Sequence, residues 1–218
     1  MVHLTPELML RAYAVGIFPM AASAESPVLY WFDPDMRGIL PLDSFHLPRR
    51  LRRTVRQGRF EVRINSAFEE IVNACAAATS DRPKTWINAA IRDVYRDLCA
   101  MGYAHSVECW DEDGLAGGLY GVALAGAFFG ESMFSRRRDA SKVALVQLVA
   151  RLRKGGFQLL DTQFVTEHLN QFGAIEIPRS QYRARHAEAL TVPAVFDCGC
   201  QETLTAELFS QLEAVGDD

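Results

Sequence analysis

The stretch AFFGESMFSRRRDASKVALVQLVARLRKGGFQLLDTQ, residues 127–163, decides the fold. Its first apolar segment, 127–134, predicts a β-strand, and apolar residues at helical spacing over 141–154 predict an α-helix that ends at a Gly-Gly pair. A second apolar segment, 157–161, predicts another strand. Because strands joined by one helix are often neighbours in a sheet, we expect these two strands to lie side by side.

Similar patterns extend on both sides of this stretch. Further strands are predicted over 60–65, 104–110 and 115–125, and further helices over 66–78, 88–101 and 165–172. This order of elements is typical of an α+β fold with one mixed sheet and helices on both faces.

The composition divides the chain into three segments. Closely spaced prolines allow only short elements near the start, so residues 1–62 are predicted to form a small N-terminal subdomain with a basic helix. Residues 63–186 hold most of the strand and helix patterns and form the predicted main domain. Residues 187–218 contain seven acidic residues and no Lys or Arg, and are predicted to form an acidic C-terminal tail.

The overall composition is that of a globular protein. The chain has 218 residues, 23 Lys and Arg, 27 Asp and Glu, and 49% hydrophobic residues, which excludes disorder, collagen and coiled coils. Its five cysteines lack zinc-site spacing and no apolar stretch reaches about 18 residues, so we expect a cytoplasmic protein that does not enter a membrane. His105 and His168 have no companion ligands at metal spacing, so no metal site is expected.

Arginines are concentrated in residues 49–63, which contain seven arginines and one acid, Glu61. Four of them would share one side of a helix, because each lies three or four residues from another: Arg49, Arg52, Arg53 and Arg56. A second basic run, SRRR, occupies residues 135–138. These clusters predict a surface that binds phosphate groups, although an ordinary solvated helix face explains the first cluster equally well.

Two carboxylates end apolar strands of the central stretch: Glu131 in AFFGESMF and Asp161 in FQLLDTQF. A buried carboxylate needs a partner or a function, so we expect both residues, with Gln163, to line one cleft that recognises a cationic group. The alternative is that Asp161 caps a helix or that Glu131 is a satisfied structural acid. Trp86, close to the basic Lys84, is suited to stack on a base, and a role as a core anchor is an equally good interpretation.

Four strings occur in a fixed order: TWIN (85–88), FFGESMFSRRRDASKVAL (128–145), LDTQ (160–163) and FGAIEIPR (172–179). In this combination the chain resembles the leucyl/phenylalanyl-tRNA-protein transferases from about Leu4 to Arg185. The resemblance implies an enzyme that moves Leu, Phe or Met from aminoacyl-tRNA to the α-amino group of proteins that begin with Arg or Lys, and so marks them for N-degron proteolysis.

The resemblance also implies that residues 63–186 form a GNAT-like (N-acetyltransferase-like) catalytic domain that binds tRNA instead of coenzyme A. Aminoacyl-tRNA and protein N-termini are then the expected partners. No cofactor is expected, and the chain is expected to be a monomer.

By the matching motifs, the resemblance makes Asp161 and Gln163 the central catalytic pair. Asp161 would polarise Gln163, which helps the acceptor amine lose its proton as it attacks the aminoacyl ester. In an equally serious version, both residues only position the reactants. Glu131 would line the same cleft and contact either the terminal adenosine of tRNA or the cationic N-terminal residue.

The resemblance assigns three further groups of residues. Trp86, Tyr95 and Met20 would hold the 3′-adenosine of tRNA, with Met20 in place of the tryptophan usual in the family. The aminoacyl side chain would occupy an apolar pocket formed by Phe128, Met133, Leu119, Leu145, Leu148, Leu152 and Leu160. Phosphates of the acceptor stem would contact Arg49, Arg52, Arg53, Arg56, Arg136 and Arg137.

Three alternatives stay open on the sequence: the same chemistry on acidic N-termini, a coenzyme A-dependent GNAT acyltransferase, and an RNA-binding module without catalysis. A coenzyme A enzyme would have a Gly-rich loop before the helix at 141, where this chain has SRRR. An RNA-binding module would not need Asp161 and Gln163.

Overall fold

The computed structural model describes residues 4–79 and 83–215. Within these residues the strands are β1 (Phe18–Ala21), β2 (Leu29–Phe32), β3 (Met36–Ile39), β4 (Glu61–Ile64), β5 (Ala104–Asp111), β6 (Gly114–Leu124), β7 (Ala127–Ser135), β8 (Leu159–Gln163) and β9 (Ile175–Pro178). The helices are α1 (Pro6–Ala14), α2 (Arg49–Arg56), α3 (Phe68–Ala76), α4 (Ala89–Ala100), α5 (Ala140–Lys154), α6 (Glu167–Asn170), α7 (Arg179–Ala189) and α8 (Gln201–Val215).

Seven strands form one sheet in the order β4-β5-β6-β7-β8-β3-β9, and β1 and β2 form a separate hairpin. Neighbours in the sheet are antiparallel except β7 and β8, which run parallel. Helices α3 and α4 contribute to the core on one face of the sheet, and α5 contributes to the core on the other. The predicted α+β class with a mixed sheet flanked by helices is therefore confirmed. The two strands of residues 127–163 are indeed neighbours.

Strands β7 and β8 pair only near their beginnings. Their register couples Ala127 with Leu159 and Phe129 with Asp161, and there the pairing stops. Strand β7 nevertheless continues to Ser135. The two strands therefore separate and leave a gap within the sheet.

A β-bulge lies at the start of this gap. Tyr120 and Gly121 are adjacent on β6, but their partners on β7 are Ser132 and Gly130, so Glu131 has no opposite residue. Bulges bend a strand and redirect its side chains, and they are frequent next to active sites. The bulge thus sets the direction of Glu131 where β7 leaves β8.

Helix α5 is buried along most of its length because it lies between the sheet and α8. Leu204, Leu208 and Phe209 of α8 belong to the same core cluster as the apolar residues of α5. The buried guanidinium of Arg151 on α5 donates to Oε1 of Gln201 on α8 at 2.9 Å. The segment predicted as an acidic tail therefore packs on the main domain through α8.

The structure contains several elements that the sequence pattern did not predict. These are β9, α7, α8 and the β1–β2 hairpin, whose strands have four residues each and lie in the region where the prolines allow only short elements. The helix predicted over 165–172 is shorter, because α6 has four residues and begins after Thr166, whose side chain accepts from the backbone N–H of Leu169. Strand β3 lies between β8 and β9, so the predicted subdomain 1–62 supplies a strand to the sheet. The predicted domain boundaries stay a prediction.

Helices long and apolar enough to cross a bilayer are absent from residues 4–79 and 83–215.

Candidate active site

A cavity of about 440 Å³ occupies the gap between β7 and β8. Helix α5 contributes apolar side chains to its lining, and the separated parts of β7 and β8 contribute polar ones. Nine residues selected from the sequence line it: Met20, Trp86, Leu119, Glu131, Met133, Leu145, Leu148, Leu160 and Gln163.

Four other selected residues are fully buried and are not part of the lining: Tyr95, Phe128, Leu152 and Asp161. The structure therefore brings most of the predicted site together around one cavity. The functional roles assigned to these residues stay predictions.

Asp161 forms a buried ion pair with Arg37 of β3. Nε of Arg37 donates to Oδ1 at 3.0 Å, and Nη2 donates to Oδ2 at 2.7 Å. The Tyr182 hydroxyl on α7 also donates to Oδ2, at 2.6 Å. The third guanidinium nitrogen, Nη1, donates to the carbonyl oxygen of Gly16 at 3.1 Å. The carboxylate is thus saturated by donors from other elements of the fold.

The guanidinium of Arg37 lies between two aromatic rings. Its central carbon is 4.5 Å from the ring centre of Phe18 and 4.4 Å from that of Tyr182. Burial alone would lower the pKa of Arg37, but the hydrogen bonds and the charge of Asp161 raise it overall. Burial, and then the negative charge of Asp161, raises the pKa of the Tyr182 hydroxyl. Both groups therefore keep their protons and stay donors to Asp161.

Gln163 has a left-handed backbone conformation with φ of 59°, which is uncommon for residues other than glycine. Its backbone N–H donates to Oδ1 of Asp161 at 2.8 Å, which stabilises this conformation. The side-chain Nε2 is buried and has no hydrogen-bond partner among the described residues. Since Gln163 lines the cavity, this amide is available to a bound molecule.

These contacts correct one part of the predicted mechanism. Asp161 was expected to polarise the side-chain amide of Gln163, but its carboxylate accepts a hydrogen bond from the backbone N–H of Gln163. Among the hydrogen bonds of residues 4–79 and 83–215, none joins the two side chains. The reason is that the carboxylate oxygens already accept from Arg37 and Tyr182. The structure thus shows Asp161 in contact with the backbone of Gln163, and the catalytic role of both residues stays a prediction.

Glu131 accepts hydrogen bonds from two buried tyrosines. The hydroxyl of Tyr13 donates to Oε1 and that of Tyr95 to Oε2, each at 2.7 Å. Burial raises the pKa of Glu131 to about 7; the nearby charge of Asp161 adds to this effect, while the tyrosine hydrogen bonds oppose it. Glu131 therefore exchanges its proton close to neutral pH, in the wall of the cavity.

The predicted phosphate-binding arginines differ in their partners. Nη1 of Arg52 lies 3.4 Å from Oε1 of Glu213 on α8, and Nη2 of Arg56 lies 2.6 Å from the same oxygen. Arg49 and Arg53 are exposed, and no ion pair forms at either within the described part of the chain. The other two arginines also have partners: Arg136 donates to the carbonyl of Leu115, and Arg137 pairs with Asp111 and Asp113.

Sequence reasoning missed Arg37, Tyr182 and Tyr13. The one available signal was the expected burial of Asp161, which requires a cationic partner. Nothing in the sequence selects Arg37 among the many arginines, since it lies 124 positions from Asp161.

Among the described residues, no three potential metal ligands come together.

Sequence comparisons with known proteins agree on one family. The sequence profile "Leucyl/phenylalanyl-tRNA protein transferase" matches residues 39–187, and the profile of the N-terminal domain of the same family matches residues 3–35. The "Leucyl/phenylalanyl-tRNA--protein transferase" of Paramagnetospirillum magneticum is 62% identical over 194 residues, which cover 89% of this chain and 93% of that protein. The protein of the same name from Rhodopseudomonas palustris is 57% identical over 195 residues, which cover 89% of this chain and 87% of that protein.

Among solved structures, L-PGS from Bacillus licheniformis aligns with 11% identity and a TM-score of 0.39, over 75% of this chain and 54% of that one.

Replacing Arg37 by Met is expected to lower the free energy of unfolding by about 3 to 5 kcal/mol, because it leaves the buried charge of Asp161 without its partner. The double variant Arg37→Met/Asp161→Asn is expected to lose less free energy of unfolding than Arg37→Met, since asparagine keeps an acceptor oxygen but carries no charge. Urea denaturation of both variants measures the difference. A double variant less stable than Arg37→Met alone would contradict this account of the pair.

The raised pKa of Glu131 predicts a pH-dependent stability. Between its unfolded value of 4.5 and its folded value of about 7, the native state holds a proton that the unfolded state releases. The stability of the native protein relative to Glu131→Gln is therefore expected to rise as the pH falls from 7.5 to 5. Urea denaturation of both proteins across this range tests the sign, and a flat difference would show that the pKa is not raised.

Proposed function

Because the chain belongs to the leucyl/phenylalanyl-tRNA protein transferase family, we propose that it transfers Leu, Phe or Met from tRNA to the α-amino group of proteins that begin with Arg or Lys. Family membership confirms the resemblance of the sequence and makes the chain an aminoacyltransferase. Methionine as a donor, the acceptor rule and the creation of an N-degron belong to the proposal. So do a GNAT-like relationship, a cytoplasmic location and a monomeric state.

One observation carries the proposal: a single cavity combines apolar residues of α5 with the polar groups of Glu131 and Gln163. Leu145 and Leu148 of α5, with Leu160, provide an apolar surface suited to an unbranched or γ-branched side chain. Trp86 supplies an aromatic face for the adenine of the terminal adenosine. The same cavity therefore offers a surface to the donor side chain and another to the adenosine.

The reaction forms a bond between the acceptor nitrogen and the aminoacyl carbonyl carbon, and breaks the ester bond to the ribose. The amine loses a proton and the released ribose oxygen gains one, so the leaving hydroxyl can carry the proton between them. We assign to Nε2 of Gln163 a hydrogen bond to the carbonyl oxygen, on which negative charge develops. Asp161 acts through the backbone of Gln163 and is a positioning residue.

Recognition of a cationic N-terminus needs negative charge in or near the cavity. Asp161 does not provide it, because Arg37 neutralises its charge in a buried pair. Glu131 remains the acid in the cavity lining, and its pKa of about 7 leaves it partly ionised at neutral pH. We therefore assign contact with the acceptor to Glu131, and this assignment predicts better use of Arg and Lys acceptors above pH 7.

The function is tested with two acceptor peptides that differ only in their first residue, which is Arg in one and Glu in the other. The donor is leucyl-tRNA that carries labelled leucine. The native protein is expected to label the Arg peptide. Gln163→Ala is expected to reduce kcat/KM by about 100-fold, the usual loss for one such donor. Gln158→Ala is the matched control, because Gln158 is exposed and does not line the cavity.

Each other outcome has a defined meaning. Label on the Glu peptide alone would reverse the acceptor rule. Transfer from an acyl-coenzyme A and not from leucyl-tRNA would establish the coenzyme A alternative. Binding of tRNA without transfer, unaffected by Gln163→Ala, would leave an RNA-binding module.

The arginines of α2 are expected to differ in their contribution to tRNA binding. Arg49→Ala/Arg53→Ala should weaken binding and reduce the slope of log affinity against log salt by about 1 to 2, because each free arginine contacts about one phosphate. Arg52→Ala/Arg56→Ala should have a smaller effect, since Glu213 neutralises part of their charge. Filter binding at several salt concentrations compares both variants with the native protein. Slopes unchanged from that of the native protein would place the tRNA elsewhere, and equally reduced slopes would contradict the effect of Glu213.

A further inference from the structure

The β1–β2 hairpin presents one face to the cavity. Phe18 and Met20, two residues apart on β1, both line the cavity. The register pairs Phe18 with Phe32 and Met20 with Tyr30. Because directly opposed residues of antiparallel strands lie on the same face, these four side chains form one strip. The strip continues the cavity lining onto β2.

Exposure increases along this strip. Phe18 is 3% exposed, and its ring stacks on that of Phe32 with 5.8 Å between ring centres. Tyr30, at the other end beside Met20, is 55% exposed. The strip therefore runs from the buried lining of the cavity to an aromatic side chain in solvent.

The hairpin is held in place against the loop that carries Trp86. The backbone N–H of Ala21 donates to the carbonyl oxygen of Trp86 at 3.1 Å. The turn between the two strands is tied down as well, because Nδ2 of the buried Asn88 donates to the carbonyl oxygen of Ser26 at 2.7 Å. The backbone of the hairpin is thus anchored to the segment of Trp86 and Asn88.

We propose that Tyr30 is a further tRNA-binding residue, on which the base of the nucleotide before the terminal adenosine stacks. This inference rests on the proposed function. The cavity volume of about 440 Å³ is in the range that encloses one small ligand, so the nucleotides attached to the adenosine must leave the cavity. The strip leads outward from the adenosine surface, and an aromatic ring stacks on any base without requiring a sequence.

The test uses two unreactive donors in which an amide replaces the ester: 3′-phenylalanylamino-adenosine, and the same group on the dinucleotide CpA. Calorimetry measures the Kd of each donor for the native protein, Tyr30→Ala, Tyr30→Phe and Trp31→Ala. Trp31 is the matched control, because it is 39% exposed on the same strand but faces the other side of the hairpin, opposite Pro19.

We expect Tyr30→Ala to raise the Kd of the CpA donor by about fivefold or more and to leave that of the adenosine donor unchanged. Tyr30→Phe and Trp31→Ala should bind both donors like the native protein. An equal rise for both donors, no rise, or the same rise in Trp31→Ala would overturn the inference. A native protein that binds neither donor would instead remove the proposed function, and this inference with it.

A second measurement with the full chain distinguishes an effect of Tyr30 on binding of the acceptor peptide from an effect on binding of tRNA. In the transfer assay, Tyr30→Ala should leave the KM for the Arg peptide unchanged and raise the KM for phenylalanyl-tRNA. A rise in the KM for the peptide alone would assign Tyr30 to the acceptor and overturn the inference.

Discussion

The ion pair of Arg37 and Asp161 joins parts of the fold that are distant in sequence. Arg37 lies on β3, Asp161 on β8 and Tyr182 on α7, and the guanidinium also bonds to the carbonyl of Gly16 and packs on Phe18. Two charges this deeply buried are favourable only when every donor and acceptor is satisfied, so each of these elements must be in place for the pair to form. In return, the pair positions the end of β8 from which Gln163 reaches the cavity.

The cavity exists because β7 and β8 stop pairing. Main-chain groups that leave a ladder need other partners, and here Asp161 accepts from the backbone N–H of Gln163 at the point of separation. On the opposite strand, the bulge at Glu131 turns a carboxylate toward the same space, where Tyr13 and Tyr95 hold it. The bulge and the ion pair thus act on the two walls of one site.

The surface charges are arranged by the C-terminal helix as well as by α2. Helix α8 is held by apolar packing on α5, and this packing brings Glu213 next to Arg52 and Arg56. Glu213 therefore neutralises part of the basic cluster, and the segment that holds it packs on the main domain instead of forming a separate tail. Arg49 and Arg53 keep their charge exposed, which concentrates the expected attraction for phosphate on one part of α2.

Local patterns in the sequence were sufficient for the main elements. The strand patterns of residues 104–134 predicted β5, β6 and β7, and the apolar periodicity of residues 141–154 predicted α5, because these patterns depend on neighbours a few positions apart. The short strands of the hairpin and β9 were missed. They have four residues each and, unlike the equally short β4, no sequence pattern singled them out. Helix α8 was missed because its apolar residues are explained only by α5.

The sequence by itself also indicated which residue types form the candidate site: two carboxylates and an amide near the ends of two strands, leucines of which several lie on the helix between those strands, and a tryptophan in a loop. Only the tertiary structure decided what each of them contacts. It selected Arg37 as the partner of Asp161, and it directed Glu131 through a bulge. It also excluded Tyr95, Phe128 and Leu152 from the cavity lining and placed Tyr30 beside Met20. The reason is physical: these relations depend on strand register and on contacts between residues far apart in the chain, which no local pattern contains.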